Sequence, residues 1–122
     1  MPSQDTLARF IAKVESNEHD KAIAEFYAEN ATIRENQGPP RGGRDALVAG
    51  EVAILARAKS VTSTCVGPVF VNGDLVVIRW HFRFVWQDET VTEMEEMAYQ
   101  RWEGELMAEE QFFYDPAQRT PK

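Results

Sequence analysis

From Val77 to Trp86 the side chains alternate without interruption. Ile78, Trp80, Phe82, Phe84 and Trp86 fall on one parity; Val77, Arg79, His81, Arg83 and Val85 fall on the other. A helix would scatter these rings around its circumference, whereas an extended chain gathers them on one face. The period therefore fixes a strand with an aromatic face that must be covered and a charged face that can meet water. Leu75–Trp86 is followed by the polar Gln87-Asp88-Glu89-Thr90 and then by a second β-rich stretch, Val91–Trp102. The two predict a long central hairpin.

The rest of the chain is arranged around that hairpin. Leu7, Phe10, Ile11 and Val14 recur at helical spacing. A break at Ser16-Asn17 precedes a short second helix carrying Ala22, Ile23, Phe26 and Tyr27, which Asn17 is expected to cap. Ala31–Glu35 reads as a short strand, and Gly38-Pro39-Pro40 with Gly42-Gly43 reads as a rigid connector. A third helix is expected from about Asp45 to Lys59, with Gly50 inside it where a close helix–sheet contact would account for the missing side chain. Val61–Val71, interrupted at Gly67-Pro68, is a strand with a bulge or free edge. Asn72-Gly73 and Glu103-Gly104 mark turns, Leu106–Tyr114 is the last strand, and the polar tail from Pro116 should fray. Three helices followed by a meander predict an α+β fold with helices on one face of a strongly bent sheet. No repeat or linker divides it, so a single domain over residues 1–122 is expected, with an ordered core of about 5–116.

Composition narrows the function. Thirteen Lys and Arg against twenty Asp and Glu give a formal charge of −7. With no basic run, a nucleic acid or an anionic membrane is a poor partner. No apolar run spans a bilayer and no secretory start is seen, so a cytoplasmic protein is expected. The single Cys65 and two separated histidines match no metal-ligand spacing, so neither metal nor cofactor is expected. Cys65 reads as a small buried hydrophobe and His19 as solvent-facing.

With Asp88-Glu89 as a two-residue tip, Trp86, Phe84, Phe82, Trp80 and Ile78 would face Val91, Glu93, Glu95, Met97 and Tyr99. Glu93 and Glu95 would then stand among aromatic rings, where an apolar setting raises a carboxyl pKa toward the range useful for proton transfer. His81, flanked by Arg79 and Arg83, would pair with Glu96 in a polar ladder on the outer face. A one-residue slip would exchange the two sets.

The order of elements and several short motifs resemble the nuclear-transport-factor-2-like superfamily, especially its SnoaL-like and ketosteroid-isomerase-like bacterial members. The motifs are Phe26-Tyr27-Ala28-Glu29-Asn30-Ala31-Thr32-Ile33 at the helix-to-strand passage and Gly43-Arg44-Asp45-Ala46-Leu47 opening the third helix. Trp102-Glu103-Gly104-Glu105-Leu106 and Phe113-Tyr114-Asp115 complete them. The resemblance implies a cone, a curved and mostly antiparallel sheet wrapped around three helices, with an apolar pocket at its open end and dimers through the sheet. It places Glu35 at the position of the isomerases' aspartate base. Phe10 stands at their oxyanion tyrosine, and Met97 or Ala98 at their oxyanion aspartate, so steroid isomerisation is not expected. The scaffold hosts many unrelated activities, so pocket residues must decide. One reading is a cofactor-independent isomerase, cyclase or hydrolase acting on a small apolar molecule. Glu35 or Glu95 would be the acid/base, and Phe10, Phe26, Tyr27, Trp80, Phe82, Phe84, Met97, Tyr99 and Trp102 the ligand wall. The other reading is a non-catalytic module binding a ligand or a protein.

Overall fold

The computed structural model describes all residues, 1–122. Helices α1 (Gln4–Glu15), α2 (His19–Phe26) and α3 (Arg44–Arg57) pack on one face of six strands, β1 (Tyr27–Glu35), β2 (Arg41–Gly42), β3 (Ala58–Asn72), β4 (Leu75–Trp86), β5 (Val91–Glu103) and β6 (Leu106–Phe113). The sheet runs β2-β1-β6-β5-β4-β3 and is antiparallel except where β1 lies parallel to β6. The sheet is curved and unclosed, as the cone expected from the sequence requires.

The core forms where the aromatic parity of β4 meets the helix stripes. Phe10 of α1 is at its centre, edge-on to Phe26 at 5.6 Å and to Trp102 at 5.7 Å between ring centroids. Ile78, Trp80 and Trp102 are almost wholly removed from water, and large side chains so placed each stabilise by roughly 2–3 kcal/mol.

Several local expectations are corrected. Asn17 does not cap α2. It adopts the left-handed conformation (φ 71°) and closes α1, a role Asn fills because its short polar side chain tolerates that region. Glu18 precedes α2, with no side-chain cap bond. The connector contains β2, which pairs Gly42 with Thr32 and Arg41 with Ile33. A Cβ on Gly42 would sit 3.0 Å from Thr32 Cγ2, so a larger residue there would have to displace the Thr32 methyl group. The chain turns at Gly73-Asp74, with Gly73 at φ 62°, rather than at Asn72-Gly73. Likewise Gly104 (φ 60°) and Glu105 form the next turn, one residue beyond the expected pair.

The tail does not fray. Asp115 Oδ1 caps a short 3₁₀ turn, Pro116–Arg119, by accepting from Ala117 N at 3.0 Å. The backbones of Lys122 and Val91 exchange two hydrogen bonds of 2.9 Å. Gln118 Oε1 accepts from Glu95 N at 2.9 Å, beyond the point where β6 leaves β5 unpaired. The free edge of β5 supplies the hydrogen-bonding groups that a polar tail lacks within itself.

A Cβ at Gly50 in α3 would meet nothing within 4 Å, so no close helix–sheet contact explains the glycine; it borders a cavity instead. Gly50→Ala should therefore stabilise the chain by about 0.5–1 kcal/mol, read as a rise in thermal midpoint. A fall would mean that the cavity wall has no room for a methyl group.

Candidate active site

The hairpin register decides the site. Trp86 N donates to Thr90 O and Glu89 N to Trp86 O, both at 2.9 Å, so the tip holds three residues and Glu89 takes φ 68°. A two-residue tip of the tight hairpin type would ask Asp88 and Glu89 both for positive φ. The three-residue loop asks it of one only. Asp88 Oδ1 reinforces the loop by accepting from Thr90 N at 3.0 Å and from its hydroxyl at 2.6 Å.

The consequence is a slip of one residue. Trp80 faces Glu96, Phe82 faces Met94 and Phe84 faces Thr92. The inner face of β5 is Thr92, Met94, Glu96, Ala98 and Gln100. Glu93, Glu95, Met97 and Tyr99 project outward. Glu95 is exposed and bonded to Arg79 at 3.1 Å, and Glu93 is exposed and meets His81 at 3.1 Å. Met97 and Tyr99 are 39% and 44% exposed. None of these four lines the cavity, so placing Glu95, Met97 and Tyr99 in the pocket is corrected. His81 lies opposite Glu95, not Glu96.

Inside the cone is a cavity of about 810 Å³. Its walls include Phe10, Tyr27, Trp80, Phe82 and Phe84, together with Trp86 and Phe112. Phe26 and Trp102 are buried behind this wall and do not line it. Glu35 stands on the cavity wall at the end of β1. It accepts from Tyr114 Oη at 2.9 Å, and Arg41 and Arg119 approach it at 3.6 and 3.7 Å. It is thus a paired carboxylate, not an isolated one.

Besides Asp88 at its rim, three glutamates that the sequence reading had not placed in the pocket share it. Glu96 projects from β5 with no hydrogen-bonding or ionic side-chain partner. Burial raises its pKa to about 8, and the charges of Glu110, Glu35 and Glu51 push the same way. Glu110 of β6 is buried at the deep end. Burial raises its pKa to about 7, although Tyr27 Oη and Gln100 Nε2 both donate to it, the latter at 2.8 Å. Gln100 is oriented in turn by Trp102 Nε1, which donates to Gln100 Oε1 at 3.0 Å. Glu51 of α3 is raised chiefly by burial.

His19 also proves to be a cavity residue. Its ring lies edge-on to Phe82 at 5.2 Å and its Nε2 is 2.7 Å from Ser63 Oγ. Burial lowers its pKa to about 4, so it is neutral near pH 7. No three His, Cys, Asp or Glu side chains converge as metal ligands do. The site can hold an apolar body against aromatic rings and offer it carboxyl groups that gain or lose a proton near neutrality.

A curved sheet closing on three helices around such a cavity defines the NTF2-like, ketosteroid-isomerase-like class of fold. The sequence profile of the SnoaL-like domain matches residues 7–110, and the chain belongs to that family. Among solved structures, a hypothetical protein of ketosteroid-isomerase-like fold from Catenulispora acidiphila DSM 44928, in complex with trimethylamine, is similar at a TM-score of 0.77. It is 16% identical, over 96% of this chain and 90% of that one. A candidate SnoaL-like polyketide cyclase from Mesorhizobium loti gives a TM-score of 0.75 at 20% identity, over 93% and 100% of the two chains. An NTF2-like protein of unknown function from Exiguobacterium sp. 255-15 gives 0.73 at 17% identity, over 91% and 98%. At such identities the likeness is one of fold. A search among curated proteins finds no sequence that matches. No helix is long and apolar enough to cross a membrane.

Proposed function

We propose that the chain is a cofactor-independent acid–base protein acting on a small, largely apolar molecule, an isomerase, cyclase or hydrolase in reaction type. The observation that carries this reading is Glu96, a carboxyl without a side-chain partner in an aromatic cavity, with its pKa raised to about 8. Two carboxyls in contrasting surroundings divide acid from base. Glu96 in its apolar setting holds a proton at neutrality, and Glu35, paired with arginines, accepts one. Glu110 with Tyr27 offers a second hydrogen-bonding point at the deep end. The small ligand of the Catenulispora relative and the cyclase assignment of the Mesorhizobium relative support a pocket of this kind.

Proton transfer to carbon can be read without knowing the natural substrate. Small ketones, lactones and β-dicarbonyl compounds incubated with the protein in D₂O should exchange their activated C–H protons. Glu35→Gln and Glu96→Gln should each lower that exchange by roughly 10²- to 10⁴-fold with little loss of binding. Ligands that bind without exchange would leave a non-catalytic binding module as the function.

We also propose a cytoplasmic homodimer formed through the outer face of the sheet. Met97, Tyr99 and Phe113 are each more than a third exposed there, among the Arg79–Glu95 and His81–Glu93 pairs. Apolar groups gathered on one sheet face gain by being covered. Sedimentation should report twice 13.9 kDa at high micromolar concentration, and a 13.9 kDa species would refute the dimer.

A further inference from the structure

We propose that the cavity takes an organic cation, an ammonium or protonated amine carried on an apolar body. This rests on the small-molecule reading above and names a substrate class for the same pocket. The wall itself is the first argument. Trp80, Phe82, Phe84 and Trp86 form one row along β4, with Trp80 stacked on Phe82 at 5.6 Å and Phe84 on Trp86 at 5.2 Å. The protein already holds a cation against this row, since the Arg57 guanidinium lies 5.8 Å from the Trp86 ring centroid. Aromatic faces attract cations through their quadrupole, more strongly where water is excluded.

Charge is the second argument. Five acidic side chains line the cavity (Glu35, Glu51, Asp88, Glu96 and Glu110) against three arginines. Arg41 and Arg119 are taken up by Glu35, and Arg57 by Trp86. Glu51 and Glu96 make no ion pair, and Glu110 is held by the neutral Tyr27 and Gln100 alone. His19, neutral and bonded to Ser63, supplies no counter-charge. An anionic ligand would meet arginines already engaged and would further oppose ionisation of the buried carboxyls. A cationic one supplies the counter-charge beside which Glu96 and Glu110 can ionise.

Linkage gives a signature of its own. Burial, with repulsion from neighbouring carboxyls, keeps Glu96 protonated at neutrality and leaves Glu110 only partly ionised there. A bound cation favours their ionised form, so binding releases protons and tightens as pH rises toward 8.

Benzyltrimethylammonium and neopentylbenzene, its uncharged carbon isostere, provide the test, followed by tryptophan fluorescence and by calorimetry in two buffers of different ionisation heat. The cation should bind at least about tenfold more tightly than the isostere at pH 7. It should tighten from pH 6 to pH 8 and release protons to the buffer. Glu96→Gln should weaken the cation by about tenfold relative to the isostere, and Glu51→Gln should act in the same direction. The isostere binding as well as the cation, or cation binding that is flat with pH and releases no proton, overturns the proposal while leaving the pocket reading standing. Failure of both probes to bind overturns the two together.

Discussion

Glu96→Gln should make the folded chain more stable at pH 8 and leave its stability nearly unchanged at pH 4.5. The sign follows from proton binding. Glu96 in the folded chain holds its proton up to about pH 8, against an ordinary 4.5 in the unfolded one. Below the ordinary value both states are protonated, and the contribution to stability is fully present. As pH rises through the folded value, the unfolded chain gains by ionising and that contribution is lost. Glu110, with a folded value of about 7, acts in the same direction. His19 opposes them over part of the range. Its folded value of about 4 lies below the ordinary 6.5, so its contribution is present above 6.5 and lost as pH falls toward 4. Between about 4.5 and 6.5, therefore, His19 cancels one of the two carboxyls. Above 6.5 their destabilising effect is unopposed. At 1.36 kcal/mol per unit, with allowance for partial exposure, the gain at pH 8 from Glu96→Gln should be about 3 kcal/mol. Urea unfolding at pH 4.5, 6.5 and 8 reads it directly. Equal stability of the two chains at pH 8 would mean that Glu96 is solvated and would remove the main support for a proton-transferring pocket.

The expectations that came from period were realised, and those that came from register were not. Alternation in β4 fixed which of its side chains face the helices, because a two-residue period admits only one assignment once the aromatic face is chosen. Trp80, Phe82 and Phe84 accordingly stand where the pattern put them. The partner strand has no such internal marker. In Val91–Trp102 both parities carry glutamate, so its inward face was decided by a single loop residue. Gln87-Asp88-Glu89-Thr90 contains no Gly or Asn to take positive φ cheaply, and that absence was the available sign of a longer loop. Reading it would have exchanged Glu95 for Glu96 and removed Met97 and Tyr99 from the wall. Glu110 carried a fainter sign, a lone acid sharing parity with Phe112 on the last strand. Arg119 and Tyr114 carried none, because the docking of a polar tail on the open edge of β5 depends on where β6 ends.

The second large effect is expected at Trp102, which lies outside the cavity but is linked through Gln100 to Glu110 on its wall. Its side chain is fully buried and edge-on to Phe10 at 5.7 Å. Trp102→Ala should cost about 3–5 kcal/mol, a large share of the roughly 5–15 kcal/mol that holds a domain of this size together. Trp102→Phe separates packing from polarity. An indole N–H can only donate, so it fixes the carboxamide of Gln100 with its oxygen toward Trp102 and its NH₂ toward Glu110. Phenylalanine keeps much of the ring contact but leaves that oxygen without its donor, and the amide is then free to turn. A turned amide presents oxygen to the Glu110 carboxylate and withdraws one of the two donors that favour its charged form. The Glu110 midpoint should therefore rise above about 7, by roughly one unit, together with a stability loss of about 1–2 kcal/mol. Carbon-13 NMR titration of the glutamate carboxyls in the two chains reads the shift, and Gln100→Leu should reproduce it with the indole intact. A Glu110 midpoint unmoved in both variants would show that burial and the Tyr27 hydrogen bond, not Gln100, set the charge at the deep end of the cavity. Trp102 would then act there through packing only.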